Sequence, residues 1–202
     1  MCIRDRDRTL EAAMTLFWRK GYHATSLKDL EAALQMKPGS IYAAFKSKEN
    51  LYLLALERYV ERSRKRFRAQ IADARSPLAG LAGHIRSYAK LSPEDASRQA
   101  CMLTRTLVDT NSTEPNIAEA TRSYLDQMGE EFTEAFEVAR DIGELAPDAD
   151  ARRLARRFQA NVTALRVELH RGSTQDVIDA LADDMAREIL SHRVPGFSDD
   201  SY

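Results

Sequence analysis

Two cysteines in 202 residues, Cys2 and Cys101, supply neither a disulfide framework nor a metal-ligand spacing. The chain also lacks any apolar run approaching the roughly 18 residues that a bilayer span requires, which excludes a membrane-spanning helix. No apolar stretch follows the charged N-terminus, so nothing there reads as a secretory signal, and a reducing cytoplasm is the expected location. An H-E-x-x-H pair, a nucleophile elbow, a phosphate-binding glycine loop and paired acidic motifs are equally missing. An enzyme is therefore not expected, nor a cofactor or metal. Asp183-Asp184 stands alone on an amphipathic segment and reads as solvated.

What is present is an ordinary interior-forming composition, 44% hydrophobic, long enough for one large domain or two small ones. The net charge of −1 conceals an asymmetry. Residues 1–75 carry sixteen basic and nine acidic groups, a net of +7, and the remainder carries fourteen and twenty-two, a net of −8. A positive first third attracts a polyanion, nucleic acid foremost, although a solvated helix face accounts for the same run of charge.

Apolar residues recur at three and four along nearly the whole chain and never alternate for long, so the expected fold is all-α. A first helix over Asp7 to Lys20 stops at Gly21. Ser26 caps a second, with Asp29 three residues on completing a capping box and Leu27, Leu30 and Leu34 facing inward. Pro38 suits the first turn of a short third helix anchored by Ile41 and Phe45. Ser47 caps a long fourth helix that runs to Asp73. Five more are expected: Ser76-Pro77 to Lys90, Ser92–Asp95 to Asp109, Asn116 to Ile142, a helix capped by Asp148 that ends at His170, and one capped by Ser173 that ends at His192. From Val194 onward Pro, Gly, Ser and Asp suggest a frayed tail.

The informative segment is Thr-Ser-Leu-Lys-Asp-Leu-Glu-Ala-Ala-Leu-Gln-Met-Lys-Pro-Gly-Ser-Ile-Tyr-Ala-Ala-Phe-Lys-Ser-Lys-Glu-Asn-Leu, from Thr25 to Leu51. An apolar helix ending in Gly-Tyr, then Thr-Ser, a short helix, a tight turn, Gly-Ser-Ile-Tyr-x-x-Phe and Lys-Ser-Lys-Glu-x-Leu resembles the TetR/AcrR family of transcriptional regulators over about residues 9 to 56. The positions make physical sense by themselves. A short helix enters a major groove about 12 Å wide only if its outward residues are small or polar. Gly39 lets a phosphate approach the backbone, Ser40 suits a base edge, and Ala43 offers a methyl to thymine, with Lys37 and Pro38 at the helix start. The resemblance implies that these residues read DNA and that Tyr42 meets a phosphate. Thr25 and Ser26 at the start of the second helix, and Lys46 and Lys48 around the start of the fourth, are the expected flanking clamps. Ser26 serves equally as a plain cap.

Two features depart from the family pattern. Gln35 stands where the turn usually has Gly, so a left-handed backbone there would be strained by roughly 1 kcal/mol. Lys37-Pro38 replaces the frequent Ser-Lys pair that leads into the reading helix. Met1 to Arg6 reads Met-Cys-Ile-Arg-Asp-Arg where family members often carry a longer basic arm, so a truncated or foreign leader is the expectation, and Arg4, Arg6 and Arg8 are further candidate phosphate contacts.

The resemblance implies a helix-turn-helix domain over residues 1–50, an effector-binding and dimerisation domain over 51–193, and a flexible tail over 194–202, about nine helices in all. Tyr88, Cys101, Met102, Arg105, Tyr124, Met128 and Phe132 mix bulk with isolated polar groups and are the candidate effector contacts. Cys101 reads either as a thiol sensor or as a small core residue, and His84 as packing. Phe158, Val162, Leu165, Ile178, Leu181 and Met185 form stripes on the last two helices that suit a four-helix dimer interface, or the intramolecular core. The implied function is a homodimeric regulator, a repressor by expectation, that binds a near-palindromic double-stranded operator and is released by a small molecule. The rival is a helical interaction protein of the same fold without specific DNA binding, which binding that does not weaken with salt would reveal.

Overall fold

The computed structural model describes residues 3–92, 101–111 and 113–197, with side chains described from Arg6 onward. These residues form nine α-helices and no strand: α1 Ile3–Lys20, α2 Leu27–Leu34, α3 Pro38–Phe45, α4 Lys48–Ala72, α5 Pro77–Ala89, α6 Met102–Thr110, α7 Pro115–Asp141, α8 Ala151–Arg171 and α9 Gln175–Ser191. No helix among them is long and apolar enough to cross a membrane. Helix ends follow local chemistry. Ser76 accepts from the Ala79 amide ahead of Pro77, and Gly172 ends α8 in the left-handed region at φ 83°.

Two expected caps are displaced. Asp150, not Asp148, opens α8, its carboxylate accepting from the Arg153 amide at 2.9 Å. The N-cap of α9 is Thr174, and Ser173 instead donates its hydroxyl to Glu168 Oε2 at 2.6 Å. The expected start of α6 at Pro93–Asp95 lies outside the described residues.

The chain divides into two compact units, neither continuous in sequence: residues 1–62 with 102–125, and residues 63–101 with 126–202. This division differs from the expected boundary near residue 50, in that α6 and the start of α7 group with the N-terminal helices. The core of the first unit is aromatic. Phe17 and Tyr22 meet the Tyr52 ring edge-on at 4.7 and 5.0 Å between centroids, and Trp18 meets Tyr59 at 5.0 Å. The buried Tyr52 hydroxyl bonds Thr106 Oγ1 at 2.7 Å, and burial pushes its pKa up to about 12, so it stays a neutral hydrogen-bonding group.

In the second unit α5, α8 and α9 pack around Leu81, Ile85, Phe158, Leu165 and Ile178, all buried. A fully buried carboxylate, Glu144, ties three distant segments together. It accepts from the Ser76 hydroxyl at 2.6 Å, from the Leu78 amide at 3.0 Å and from Arg193 Nε at 2.9 Å. The Val194 amide donates to the Glu144 carbonyl, and the Arg193 guanidinium lies 5.6 Å from the Phe197 ring centre. Val194–Phe197 therefore fold back, contrary to the expected tail from residue 194, and the rest of that tail lies outside the described residues.

Candidate nucleic-acid interface

Helices α1, α2 and α3 build the reading head. The Ser26 amide donates to Asp29 Oδ2 at 2.8 Å and the Asp29 amide to Ser26 Oγ at 3.2 Å, the reciprocal capping box. Lys20 pairs with the same carboxylate at 2.7 Å, and this cation together with Ser26 holds the Asp29 carboxyl far below the usual carboxylate range. Gln35 adopts φ 52° and ψ 39° and returns its amide to the Glu31 carbonyl. The chain thus takes the left-handed turn without glycine.

In α3, Ile41 and Phe45 are buried, each side chain contributing about 1.5–3 kcal/mol of hydrophobic anchoring. Lys37, Gly39, Ser40, Tyr42, Ala43 and Lys46 are exposed, and Pro38 is half-buried. Tyr42 is 45% exposed, an unusual cost for a large aromatic ring without a partner surface. A Cβ built on Gly39 meets nothing within 4 Å, so no neighbour in this chain explains the missing side chain. The exposed face is small in its middle and basic at both ends.

Sequence reasoning missed the device that holds α3. Lys46 takes φ 66° and ψ −51°, a sparsely populated backbone state that folds the chain from α3 into α4, with the Ser47 amide donating to the Phe45 carbonyl at 2.8 Å. Ser47 Oγ then accepts from the Asn50 amide, while Asn50 Nδ2 donates to the Phe45 carbonyl at 2.9 Å. One side chain at the start of α4 therefore satisfies the end of α3. No local pattern signals that bond.

Two expected clamps are placed otherwise. Thr25 is buried, its hydroxyl donating to the Gly21 carbonyl at 2.6 Å, so it staples the α1–α2 loop and does not face outward. Lys48 is half-buried, its ammonium 4.4 Å from the Tyr22 ring centre, and burial lowers its pKa despite Glu114 and Asp29 nearby. Ser26 stays exposed. Arg6 and Arg8 are exposed on α1, and the Arg4 side chain lies outside the described residues.

The seven expected effector contacts divide between the two units. Met102, Arg105 and Tyr124 belong to the first unit, and Tyr88, Cys101, Met128 and Phe132 to the second. Arg105 is a helix cap: its guanidinium donates to the Trp18, Arg19 and Lys20 carbonyls. Tyr124 lies beside Glu57 and Glu61, and burial and those two carboxylates raise its pKa. Met102 is core, and Cys101 is half-buried ahead of α6. Tyr88 and Phe132 do share one cluster, centred on a residue that sequence alone read as packing. His84 lies edge-on to Phe67 and Tyr88 at 5.1 and 5.2 Å and donates from Nδ1 to Gln70 Oε1 at 2.6 Å. Burial, then Arg66 and Arg166, push its pKa down to about 3, so the imidazole is neutral.

Phe158, Val162, Leu165 and Ile178 are buried within the second unit, and Leu181 and Met185 are packed against the same core. The buried four take the intramolecular alternative, while Leu181 and Met185 are half-buried and keep part of their surface open. The exposed apolar side chains of α8 are Ala160, Ala164 and Val167, and those of α9 are Val177 and Ala180.

An all-helical chain whose second motif helix is anchored inward and bare outward is, by class, a DNA-binding helix-turn-helix regulator. Residues 10–55 match the bacterial regulatory proteins of the tetR family, and residues 77–181 match the tetracyclin repressor-like C-terminal domain. The chain belongs to the TetR family, whose members regulate transcription and are not enzymes. It is similar to the HTH-type transcriptional repressor ComR of Escherichia coli, with 28% identity over 89% of this chain and 86% of that one. It also resembles the TetR family regulator CifR, in a cysteine-substituted form solved with 26-bp double-strand operator DNA. That match has 26% identity, a TM-score of 0.82, and covers 90% of this chain and 95% of the other. A TetR family regulator from Cytophaga hutchinsonii shares the fold at TM-score 0.82 and 19% identity, covering 95% and 96% of the two chains.

Proposed function

We propose that this regulator works as a homodimeric repressor in the cytoplasm, laying α3 of each copy in successive major grooves of a near-palindromic operator and leaving when a small molecule binds. The observation that carries the reading is the exposed face of α3. Gly39, Ser40 and Ala43 present a low surface between Lys37 and Lys46, with Tyr42 projecting beside it. Ser40 and Ala43 face base edges, while Tyr42, Lys46 and the α2 start at Ser26 receive phosphates. ComR is a repressor and CifR binds operator DNA, which supports the same role here.

The dimer would form through Ala160, Ala164 and Val167 of α8 with Val177 and Ala180 of α9, apolar side chains left exposed at helical spacing. The effector would enter the second unit near His84, Tyr88 and Phe132, whose neighbour Phe67 also lines a cleft of about 300 Å³ with Arg68, Ile71, Glu131 and Ala135. Selection of bound fragments from random DNA tests the reading. Tyr42→Ala should weaken every selected sequence alike, Ser40→Ala should change base preference, and both should sediment as dimers. Binding that selects no sequence would overturn it.

A further inference from the structure

Helix α1 ends against its own uncapped carbonyls, and the group that satisfies them comes from α6. Arg105 Nη1 donates to the Trp18 and Arg19 carbonyls at 3.1 and 3.0 Å, and Nη2 donates to the Lys20 carbonyl at 3.1 Å. A cation thus sits at the negative end of the α1 dipole. Asp109, one turn along α6, lies 3.7 Å from Arg105 Nε and steers the guanidinium. The fit is tight from the other side as well. A Cβ on Gly21 would come within 3.0 Å of Asp109 Oδ2 and 3.4 Å of Arg105 Nη2. Farther along, Thr113 Oγ1 meets His23 Nε2 at 2.9 Å. The clamped loop from Gly21 leads directly to Ser26, and Lys20, whose carbonyl Arg105 holds, pairs with Asp29 inside the α2 cap.

We propose that Arg105 is the positioning residue for the reading head. It fixes α1, the α1–α2 loop and α2 against α6, and so sets the half-site spacing that the protein accepts. This rests on the dimeric, two-groove reading above. Arg105 is not what keeps the head folded, since the head has its own aromatic core of Phe17, Trp18, Tyr52 and Tyr59 and the Arg105 side chain is 31% exposed. Its guanidinium is turned to α1 and α6 rather than outward, with three of its five N–H groups on the α1 carbonyls and Nε facing Asp109. Its removal should loosen where the head is held and leave intact what the head reads.

The test is fluorescence anisotropy on duplexes that carry the selected half-sites at the best spacing and at one and two base pairs more or less. Wild-type protein should discriminate among spacings by about tenfold or more, because the distance between heads is fixed by geometry. Arg105→Ala should flatten that discrimination to about threefold or less. Its mismatch penalty within a half-site and its slope of log affinity against log salt should stay at wild-type values, because no base or phosphate contact is lost. Arg105→Lys, which keeps the charge but serves fewer carbonyls, should fall between, and it carries the test should the alanine variant lose its helical circular dichroism. Wild-type spacing discrimination in Arg105→Lys and Arg105→Ala would overturn the proposal, as would a salt slope reduced in step with affinity. Wild-type protein that binds no duplex at all would sink the operator reading instead.

Discussion

Lys46 holds two roles that a single substitution should pull apart. Its φ of 66° with ψ of −51° is a state in which a residue with a Cβ stores about 1–3 kcal/mol. Glycine relieves that strain but gives the unfolded chain about 0.4–1 kcal/mol of additional freedom. Lys46→Gly should therefore gain about 1 kcal/mol, which in a chain of this length is a rise of about 2–4 °C in melting temperature. The ammonium is lost at the same time. One phosphate contact per protomer fewer should make the slope of log affinity against log salt about 1.8 shallower for the dimer. Lys46→Ala is the control, since it keeps the strain and drops the charge: its salt slope should match the glycine variant while its melting temperature stays near wild type. Scanning calorimetry and anisotropy titrations from 50 to 300 mM salt separate the two effects. Equal melting temperatures for the glycine and alanine variants would refute the strain argument, and an unchanged salt slope would refute the clamp.

Three further outcomes follow from the second unit. His84 is neutral when folded, with a pKa near 3 against 6.5 unfolded, so the unfolded chain takes its proton first as pH falls. Stability contributed by the neutral ring is complete above about pH 6.5 and should decline by about 1.4 kcal/mol per unit below it, a slope that His84→Leu should lack in urea titrations at stepped pH. Gly80→Ala would place a Cβ 2.9 Å from Ile71 Cδ1 and 3.1 Å from the Ile71 Cα, so it should cost about 1–3 kcal/mol by overpacking and lower the denaturation midpoint. Glu144→Ala strips Arg193 and Ser76 of their shared acceptor, and equilibrium unfolding should record a loss of about 3 kcal/mol or more.

Where a side chain acts on its own neighbourhood, the sequence was a faithful guide. Ser26 and Asp29 cap each other as their spacing implies, Gln35 carries the left-handed strain that its position demands, and Ile41 and Phe45 face inward four apart. Caps with two eligible residues close together were not resolved, as at Asp148 and Asp150 or Ser173 and Thr174, because either residue satisfies the same local rule. For α8 and α9 periodicity left two readings open, a dimer interface or an intramolecular core. Both the core stripe and the exposed stripe repeat at helical spacing, and the larger side chains, Phe158 and Leu165, belong inside. Arg105 and Asn50 were illegible because their partners are backbone carbonyls, which every residue has. Only the folded path shows that the ends of α1 and α3 need them.

Glu144 also dictates an order of events in the living cell. Its carboxylate bonds Leu78 on one side and Arg193 on the other, and α9 packs on α5. At about 5–20 residues per second, the ribosome needs about 6–23 s to travel from the first of these residues to the second. Through that interval Leu78, Leu81 and Ile85 have emerged without the helix that covers them. The nascent chain thus carries uncovered apolar surface through that interval, ahead of the closing ion pair.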